Sequence, residues 1–116
     1  MSDLIKLSCQ EFLKKLSSNA PTPGGGGGAA MAGALAAALT SMVGNLTVGK
    51  HDFAEQEAEV KEILQDVEGL RLQLLNLVNA DAEVFNNFMA CYRMPRGTDL
   101  EKFSRAQAIQ RAAKQA

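Results

Sequence analysis

The chain has 116 residues, of which 47% are hydrophobic, and its formal charge at pH 7 is -1. This hydrophobic content is typical of one globular domain, or a piece of one, and excludes a disordered tail. Acidic and basic residues nearly balance, so the chain has no overall positive electrostatic field that would attract nucleic acid. An anionic partner would have to be bound by a few local residues.

The cysteine content and the first residues indicate a compartment. Cys9 and Cys91 are the only cysteines. The opening residues, MSDLIKL, lack the basic start and apolar core of a secretory signal. Because structural disulfides belong mostly to oxidising compartments, we expect reduced thiols and a cytoplasmic location.

A first helix is predicted to begin after Ser8. Ser8 and Glu11 have the spacing of a capping box, and Leu7 and Phe12 have that of a hydrophobic staple. The helix is expected to run to residue 17 or 18, because prolines at positions 21 and 23 forbid its continuation. Its inward stripe is predicted to consist of Phe12, Leu13 and Leu16.

Five consecutive glycines, residues 24–28, follow the prolines. A dinucleotide-binding fingerprint needs a strand before the glycines, and a P-loop needs a lysine followed by serine or threonine; neither pattern is present. Glycines that lead into a helix N-terminus leave backbone N–H groups accessible to an anion or a polar carbonyl. A flexible linker is the alternative, although five glycines cost much entropy to order.

Residues 16–49 contain no charged side chain. A membrane helix over residues 29–48 would just span a hydrocarbon core of about 30 Å. The weakly apolar alanines, Asn45 and the lack of an aromatic belt or basic cluster argue against it. We favour a central helix enclosed by others and ended by Gly49. Small residues that would let another helix approach closely recur every four positions, at Ala29, Gly33, Ala37 and Ser41.

A third, long helix is predicted from Phe53 or Ala54 to a stop at Pro95 and Gly97. One heptad seam contains Val60, Val67, Leu74, Asp81 and Phe88. A second seam contains Ile63, Leu70, Leu77, Val84 and Cys91. An unbroken helix of this kind would be roughly 60 Å long, so it needs a partner, either another copy or further sequence.

A last helix is predicted after Thr98, which forms a second capping box with Glu101. Its stripe is predicted at Phe103, Ala106, Ile109 and Ala113. No stop signal follows, so we expect residues 1–116 to be a single helical domain that is truncated at its C-terminus. Because no period-two run is found, the predicted fold class is all-α, an up-down bundle of long helices completed by dimerisation.

Three stretches together are similar to a known family: FLKKLSSNAPTPGGGGGAAMAGALAAALTSMVGNLTVGK, the Asp81-Ala82 step, and R..AIQRAAK from Arg105. From about Phe12 onward the chain resembles the cyclodeaminase domain of formimidoyltransferase-cyclodeaminase and its relatives, the methenyltetrahydrofolate cyclohydrolases. The family pattern reads PGGGS where this chain has Gly27, and the family domain is longer.

This resemblance implies an all-helical, dimer-forming enzyme whose substrate is a tetrahydrofolate derivative, with or without a polyglutamate tail. Such an enzyme closes a formimino group onto a neighbouring nitrogen and releases ammonia, or it interconverts methenyl and formyl folates with water.

Asp81 and Lys50 are the candidate catalytic residues. Asp81 occupies a seam position where valine, leucine and phenylalanine otherwise recur, and burying an unpaired carboxylate costs several kcal/mol. We therefore expect a water-filled site or a cationic partner around it; a structural role at a helix break is the alternative. Lys50 follows the small-residue helix and could neutralise Asp81 or a folate carboxylate, or simply be a solvated lysine at a helix end.

The candidate substrate-binding residues are Gly24, Gly25, Gly26, Gly27, Asn45 and Arg105. For Arg105 the alternative is a solvated helix face. His51, the only histidine, is a natural proton carrier but lies outside the family's motif. One histidine and two distant cysteines offer no metal-ligand spacing, so no metal is expected. Nucleic acid and membrane are not expected partners either.

The resulting hypothesis is a folate one-carbon enzyme in which residues 24–28 and 45–50 form two walls of a site that Asp81 serves. Proton transfer to the departing ammonia and from the attacking nitrogen requires titratable groups that converge on a cleft. The competing hypothesis is a helical interaction module without chemistry. That module would pair through the face formed by Ala29, Gly33, Ala37 and Ser41.

Overall fold

The computed structural model describes residues 3–115, and over that range it contains helices and turns but no strand. The four helices are α1 (Cys9–Leu16), α2 (Gly25–Thr47), α3 (Glu57–Tyr92) and α4 (Asp99–Gln115). Short 3₁₀ turns cover Leu4–Lys6 and His51–Gln56. Helices α2 and α3 form an antiparallel pair, and α4 returns along the second half of α3. The helices together form a rod of 73 × 28 × 18 Å. The helical content of the described residues confirms the predicted all-α fold class.

Local sequence signals set three of the helix boundaries as predicted. The backbone N–H of Glu11 donates to Ser8 Oγ at 3.1 Å at the start of α1. At the start of α4 the capping box is reciprocal: Glu101 N–H donates to Thr98 Oγ1, and Thr98 N–H donates to Glu101 Oε1, both at 3.1 Å. Gly49 has a φ of +87° just beyond α2, the left-handed conformation that ends many helices. Helix α3, in contrast, begins at residue 57, later than predicted, because residues 51–56 form the 3₁₀ turn.

The predicted glycine loop is wrong for residues 25–28, which form the first turn of α2. Gly24 is the N-cap, and the first hydrogen bond of the helix runs from Gly28 N–H to Gly24 O at 2.9 Å. None of these glycines has a positive φ. Gly28 serves close packing instead: a Cβ at that position would lie 3.2 Å from both methyl carbons of Leu16. The low helix propensity of glycine is outweighed here by tertiary contacts.

Small residues of α2 receive longer side chains of α3. The facing pairs are Gly33 with Leu74, Ser41 with Glu68, and Gly44 with Leu64. The same chain therefore occupies the face that the competing hypothesis assigned to a second copy, and that assignment is wrong for Gly33 and Ser41. Ala29, the first member of the predicted repeat, is exposed.

Gly44 and Gly69 offer a matched test of this packing. A Cβ at Gly44 would lie 2.7 Å from Leu64 Cδ2, whereas one at Gly69 would meet no atom within 4 Å. Alanine at position 69 should raise the free energy of unfolding by about 0.5–1 kcal/mol through helix propensity alone. Alanine at position 44 should lower it by about 1 kcal/mol, because overpacking of about 1–3 kcal/mol exceeds that gain. Urea melts of the two variants measure the difference; equal shifts would contradict the close packing.

The main apolar cluster is formed where the second half of α3 packs against α1, α2 and the N-terminal segment. Val78 is 0% exposed and Leu4 is 2% exposed, and they pack with Phe12, Ala30 and Ala82. Asn79 holds the N-terminal segment in place: its Oδ1 accepts from Leu4 N–H at 2.9 Å, and its Nδ2 donates to Asp3 Oδ1 at 2.7 Å.

Several predicted inward positions face solvent. Leu13 is 62% exposed, because α1 turns only the side of Phe12 and Leu16 towards the cluster. On α4, Ala112 is buried while Phe103 and Ala113 are exposed. The second seam of α3 is also open to solvent at Ile63, Leu70 and Leu77.

Helix α2 is not enclosed within this chain, contrary to the prediction. One side packs on α3, and the other exposes Leu35, Leu39, Met42, Val43 and Leu46. By length and composition alone α2 could cross a membrane, with a mean hydropathy of 1.5. Core helices of soluble proteins meet the same criterion, and the intimate α2-α3 packing accounts for the alanines and glycines of α2 equally well.

Candidate functional site

The carboxyl group of Asp81 lies directly against the first turn of α2. A Cβ built on Gly26 would be 2.6 Å from Asp81 Oδ1 and 2.9 Å from both Cγ and Oδ2. Only a residue without a side chain permits this approach. The N–H groups of Gly25, Gly26 and Gly27 precede the first intrahelical hydrogen bond, so this end of α2 carries a partial positive charge that favours an anionic group.

Two clefts open on either side of Asp81. The first, of 260 Å³, has the glycine turn as one wall and α3 as the other. Its lining comprises Pro21, Thr22, Gly24, Gly25 and Gly26, together with Asp81, Val84, Phe85 and Phe88. The second, of 390 Å³, is mostly aliphatic and is lined by Gly26, Ala30, Leu77, Ala80, Asp81, Val84 and Gln115. The Asp81 side chain therefore stands between two cavities.

Asp81 is exposed, although its heptad position predicted an apolar surrounding. The reason is the register of the antiparallel pair. Gly26, the second residue of α2, lies opposite Asp81. Helix α2 therefore ends at the level of Asp81, and no further turn of α2 covers the carboxyl group. Leu74, two turns earlier on α3, is half-buried against α2. The carboxyl group thus needs no compensating cation from this chain.

The structure separates Asn45 and Lys50 from Asp81. Both lie at the opposite end of α2, about 30 Å from Gly26 at the rise of an α-helix. Lys50 is exposed and precedes the turn that contains His51. The hypothesis that residues 24–28 and 45–50 form two walls of one site is therefore wrong within a single chain.

Arg105 also lies outside both clefts, but it is connected to one of them. Its guanidinium carbon is 5.2 Å from the centre of the Tyr92 ring, and its Nε donates to Tyr92 O at 3.2 Å. The Tyr92 ring packs edge-on against Phe88 at 5.1 Å between centroids, and Phe88 lines the first cleft. Arg105 therefore contacts the first cleft only indirectly, through Tyr92, which packs against the cleft residue Phe88.

Several residues that line the clefts were not predicted from the sequence, among them Phe85 and Gln115. Phe85 lies four positions after Asp81, the spacing that places two residues on one helix face, so this position could have been found. Gln115 reaches the second cleft only because α4 folds back along α3, a tertiary feature that no local pattern encodes.

A charged cluster that sequence analysis also missed lies further along the helix pair. Ser41, the one buried polar side chain among residues 3–115, donates its hydroxyl to Glu68 Oε2 at 2.8 Å. Arg71 donates to the same carboxylate from Nε at 2.9 Å and from Nη2 at 3.0 Å. The hydrogen bond from Arg71, and then that from Ser41, hold the pKa of Glu68 below its ordinary value of 4.5. The same contact raises the pKa of Arg71.

The lowered pKa of Glu68 predicts a pH-dependent contribution to stability. A carboxyl whose pKa is lower in the folded state stabilises the fold above the unfolded value of 4.5 and loses that contribution as the pH falls through the folded value. Glu68→Gln should therefore lower the free energy of unfolding at about pH 7, and the difference from wild type should shrink at about pH 3. Urea melts at both pH values test this. Glu62→Gln, at an exposed position of α3, is the control; a difference for Glu68→Gln that is constant with pH would contradict the pairing.

No group of three or more histidine, cysteine, aspartate and glutamate side chains able to hold a metal ion occurs within residues 3–115. Both cysteine thiols are free, Cys9 exposed and Cys91 half-buried. The polar groups that line the two clefts are the Asp81 carboxyl group, the Thr22 hydroxyl, the Gln115 carboxamide and the backbone amides of the glycine turn.

Comparison with known proteins agrees with the resemblance noted in the sequence. The sequence profile of the family described as Formiminotransferase-cyclodeaminase matches residues 8–116. The chain belongs to the formiminotransferase-cyclodeaminase family. A relative named methenyltetrahydrofolate cyclohydrolase, from Methylorubrum extorquens, is 50% identical over 107 residues. That alignment covers 92% of this chain and 51% of the relative.

Longer family members match at lower identity. The formimidoyltransferase-cyclodeaminase of Mus musculus is 34% identical over 113 residues, and that of Dictyostelium discoideum is 32% identical over 113 residues. Each alignment covers 97% of this chain, but only 21% and 20% of the respective relatives. The chain therefore spans about half of the bacterial relative and about a fifth of the other two.

Gly27, where the family pattern has serine, is buried in this family member. A Cβ there would be 3.4 Å from Pro23 Cβ, 3.8 Å from Val78 O and 3.9 Å from Asp81 Oδ2, all ordinary contact distances. A serine would therefore fit, and its hydroxyl would have two acceptors nearby. Gly27 provides no such side-chain donor near Asp81.

Proposed function

We propose that this chain belongs to a folate one-carbon enzyme that acts either as a formimidoyltetrahydrofolate cyclodeaminase or as a methenyltetrahydrofolate cyclohydrolase. Family membership and the names of the relatives support this class. The observation that carries the proposal for this chain is the Asp81 carboxyl group, which rests on the bare first turn of α2 between two clefts.

Both reactions pass through one tetrahedral carbon that is bonded to N5, to N10 and to a third heteroatom. In the cyclodeaminase, N10 attacks the formimino carbon and loses its proton, and the C–N bond to the nitrogen that leaves as ammonia breaks as that nitrogen is protonated. In the cyclohydrolase, water adds to the methenyl carbon and loses a proton. The C–N5 bond then breaks as N5 is protonated and the new hydroxyl loses its proton, which leaves the formyl group on N10 and releases one proton overall. Each reaction needs one group that accepts a proton and returns it nearby.

Asp81 suits that role because its carboxylate is accessible to both clefts and to water. As an anion it also attracts the cationic methenyl centre, which lies between N5 and N10. Proton transfer by a positioned side chain contributes about 10²–10⁴-fold to a rate. The backbone amides of Gly25 and Gly26 add donors for a carbonyl or an anion at the same turn.

The test is turnover by the purified chain. With 5,10-methenyltetrahydrofolate, a cyclohydrolase should remove the methenyl absorbance faster than spontaneous hydrolysis does. With 5-formimidoyltetrahydrofolate, a cyclodeaminase should produce that absorbance together with one equivalent of ammonia. No acceleration of either reaction and no binding of either folate would reject the proposal and favour the interaction module.

We further propose that the active form is a homodimer that acts in the cytoplasm, without membrane or nucleic acid. The free thiols of Cys9 and Cys91 support a reducing compartment. The exposed face of α2 is apolar and α2 carries no charge, so two copies can meet there without repulsion. Antiparallel pairing of two such faces would bring segment 45–50 of one copy towards the N-terminal half of α2 of the other.

A single exposed leucine tests this dimer. Leu39→Glu places a charge in the middle of the exposed α2 face and should convert the dimer to a monomer in sedimentation velocity, because an unpaired charge in an apolar interface is strongly unfavourable. Leu100→Glu, at a 74% exposed position of α4, should leave the dimer intact. Wild type that sediments as a monomer, or a dimer that tolerates Leu39→Glu, would contradict this interface. Sedimentation without detergent also tests the proposed independence from membranes.

A further inference from the structure

The two clefts beside Asp81 differ in chemistry. The first has an aromatic wall, Phe85 and Phe88, which lie four and seven residues after Asp81 and therefore on the same face of α3. Its opposite wall is the glycine turn with the hydroxyl-bearing Thr22. The second cleft is lined by aliphatic side chains such as Leu77 and Ala80 and is bounded by the carboxamide of Gln115.

The aromatic wall is supported by two residues outside the cleft, Tyr92 and Arg105. Tyr92 packs edge-on against Phe88 at 5.1 Å, a preferred geometry for aromatic pairs. Arg105 lies over Tyr92 at 5.2 Å and anchors its backbone carbonyl. The Phe88 ring, which is held by this contact, offers a ligand a planar surface and has little rotamer entropy left to lose when the ligand binds.

We propose that the aromatic cleft is the subsite for the fused pterin ring of the folate, and that the Gln115 cleft takes the benzoylglutamate part. This assignment rests on the proposed function. The reacting carbon of such a folate lies between N5, on the ring, and N10, which leads to the benzoyl group. A ligand that bridges the two clefts has that carbon beside Asp81, because Gly26, Asp81 and Val84 line both clefts.

The chemistry of the walls favours this orientation of the folate over the reverse one. A pterin is planar and carries a carbonyl and several N–H groups on its edge, which suits an aromatic wall opposite Thr22 and the free amides of the glycine turn. At 260 Å³ the first cleft is below the usual range of about 300–1,000 Å³ for whole ligands, so it accommodates a ring and not an entire folate. The benzoyl ring is apolar and suits the aliphatic cleft, and Gln115 can pair with the amide that follows it.

Two fragments of the substrate test the assignment by ligand-observed NMR titration of the full chain. 6-Methyltetrahydropterin carries the ring alone, and 4-aminobenzoylglutamate carries the tail alone. Phe88→Leu should weaken binding of the ring fragment about tenfold, since a stacking contact of this kind contributes roughly 1–3 kcal/mol, and should leave the tail fragment unaffected. Gln115→Ala should weaken only the tail fragment, by about fivefold.

Arg105→Lys and Phe53→Leu complete the design. Arg105→Lys keeps the charge but loses the planar guanidinium, so it should weaken the ring fragment less than Phe88→Leu does, and it should leave the tail fragment unaffected. Phe53, an exposed aromatic residue outside both clefts, is the matched control and should change neither.

The opposite pattern, in which Phe88→Leu weakens the tail fragment and Gln115→Ala weakens the ring fragment, would overturn the proposed orientation of the folate across the two clefts. Equal loss of both fragments in either variant would overturn the two-subsite assignment, as would the failure of wild type to bind either fragment. If wild type turns over methenyltetrahydrofolate while the fragments fail in this way, the proposed function stands and only the subsites are rejected. If the fragments behave as expected without turnover, the subsites stand and the reaction is rejected.

Discussion

Asp81→Asn is expected to reduce turnover of the folate substrate about 10²–10⁴-fold while leaving the helical content and the oligomeric state unchanged. Asparagine has nearly the same shape as aspartate and still fits over Gly26, but it cannot accept and return a proton. The rate is read from the methenyl absorbance, and the helical content from circular dichroism.

Glu83→Gln is the matched control for this variant. Glu83 is exposed on α3, two residues from Asp81, and lines neither cleft, so its neutralisation changes the net charge equally without touching the site. Its turnover should equal that of wild type. If Asp81→Asn turns over substrate as fast as Glu83→Gln, Asp81 has no part in the chemistry.

Gly26→Ala should reduce turnover about 100-fold, because displacement of a catalytic group by about 1 Å has effects of that size. The new methyl group would lie 2.6 Å from Asp81 Oδ1, so the carboxyl group has to rotate away from the helix end. Since Asp81 is exposed, that rotation is easy, and the free energy of unfolding should change by less than about 1 kcal/mol. The variant thus separates placement of the acid from integrity of the fold.

Gly25→Ala provides the comparison, one residue away on the same turn. A Cβ at Gly25 meets no atom within 4 Å. Gly25 lines the first cleft, but its methyl group would leave Asp81 in place, so turnover should fall less than in Gly26→Ala, and stability should rise by up to about 1 kcal/mol from helix propensity. Equal turnover in the two alanine variants would mean that contact between Asp81 and the glycine turn is irrelevant to the reaction.

Features fixed by short-range chemistry could be predicted from the sequence. The capping boxes at Ser8 and Thr98 and the positive φ of Gly49 each depend on residues within one turn, and each is found as predicted. The sequence also predicts that Asp81 lies near the glycine residues, and the structure places its carboxyl group against Gly26.

Features set by packing between distant segments could not be predicted in the same way. Intrinsic propensity argues against glycine in a helix, yet residues 25–28 are helical. At Gly26 and Gly28 the space of a side chain is taken by Asp81 and Leu16, which lie far away in the sequence or in another helix. The exposure of Asp81 follows from where α2 begins relative to α3, a register that no heptad pattern contains. The separation of Lys50 from Asp81 was implicit in the predicted helix, whose length alone holds its two ends apart.

The rod shape has a thermodynamic consequence. Its smallest dimension, 18 Å, is about the thickness of two packed helices, so almost every residue is one layer from water and the interior is confined to the cluster around Val78. Resistance to heat must then depend on whatever covers the remaining apolar area. In the proposed homodimer a second copy covers that area, so by mass action the melting temperature should rise with protein concentration, whereas that of a compact monomer would stay constant.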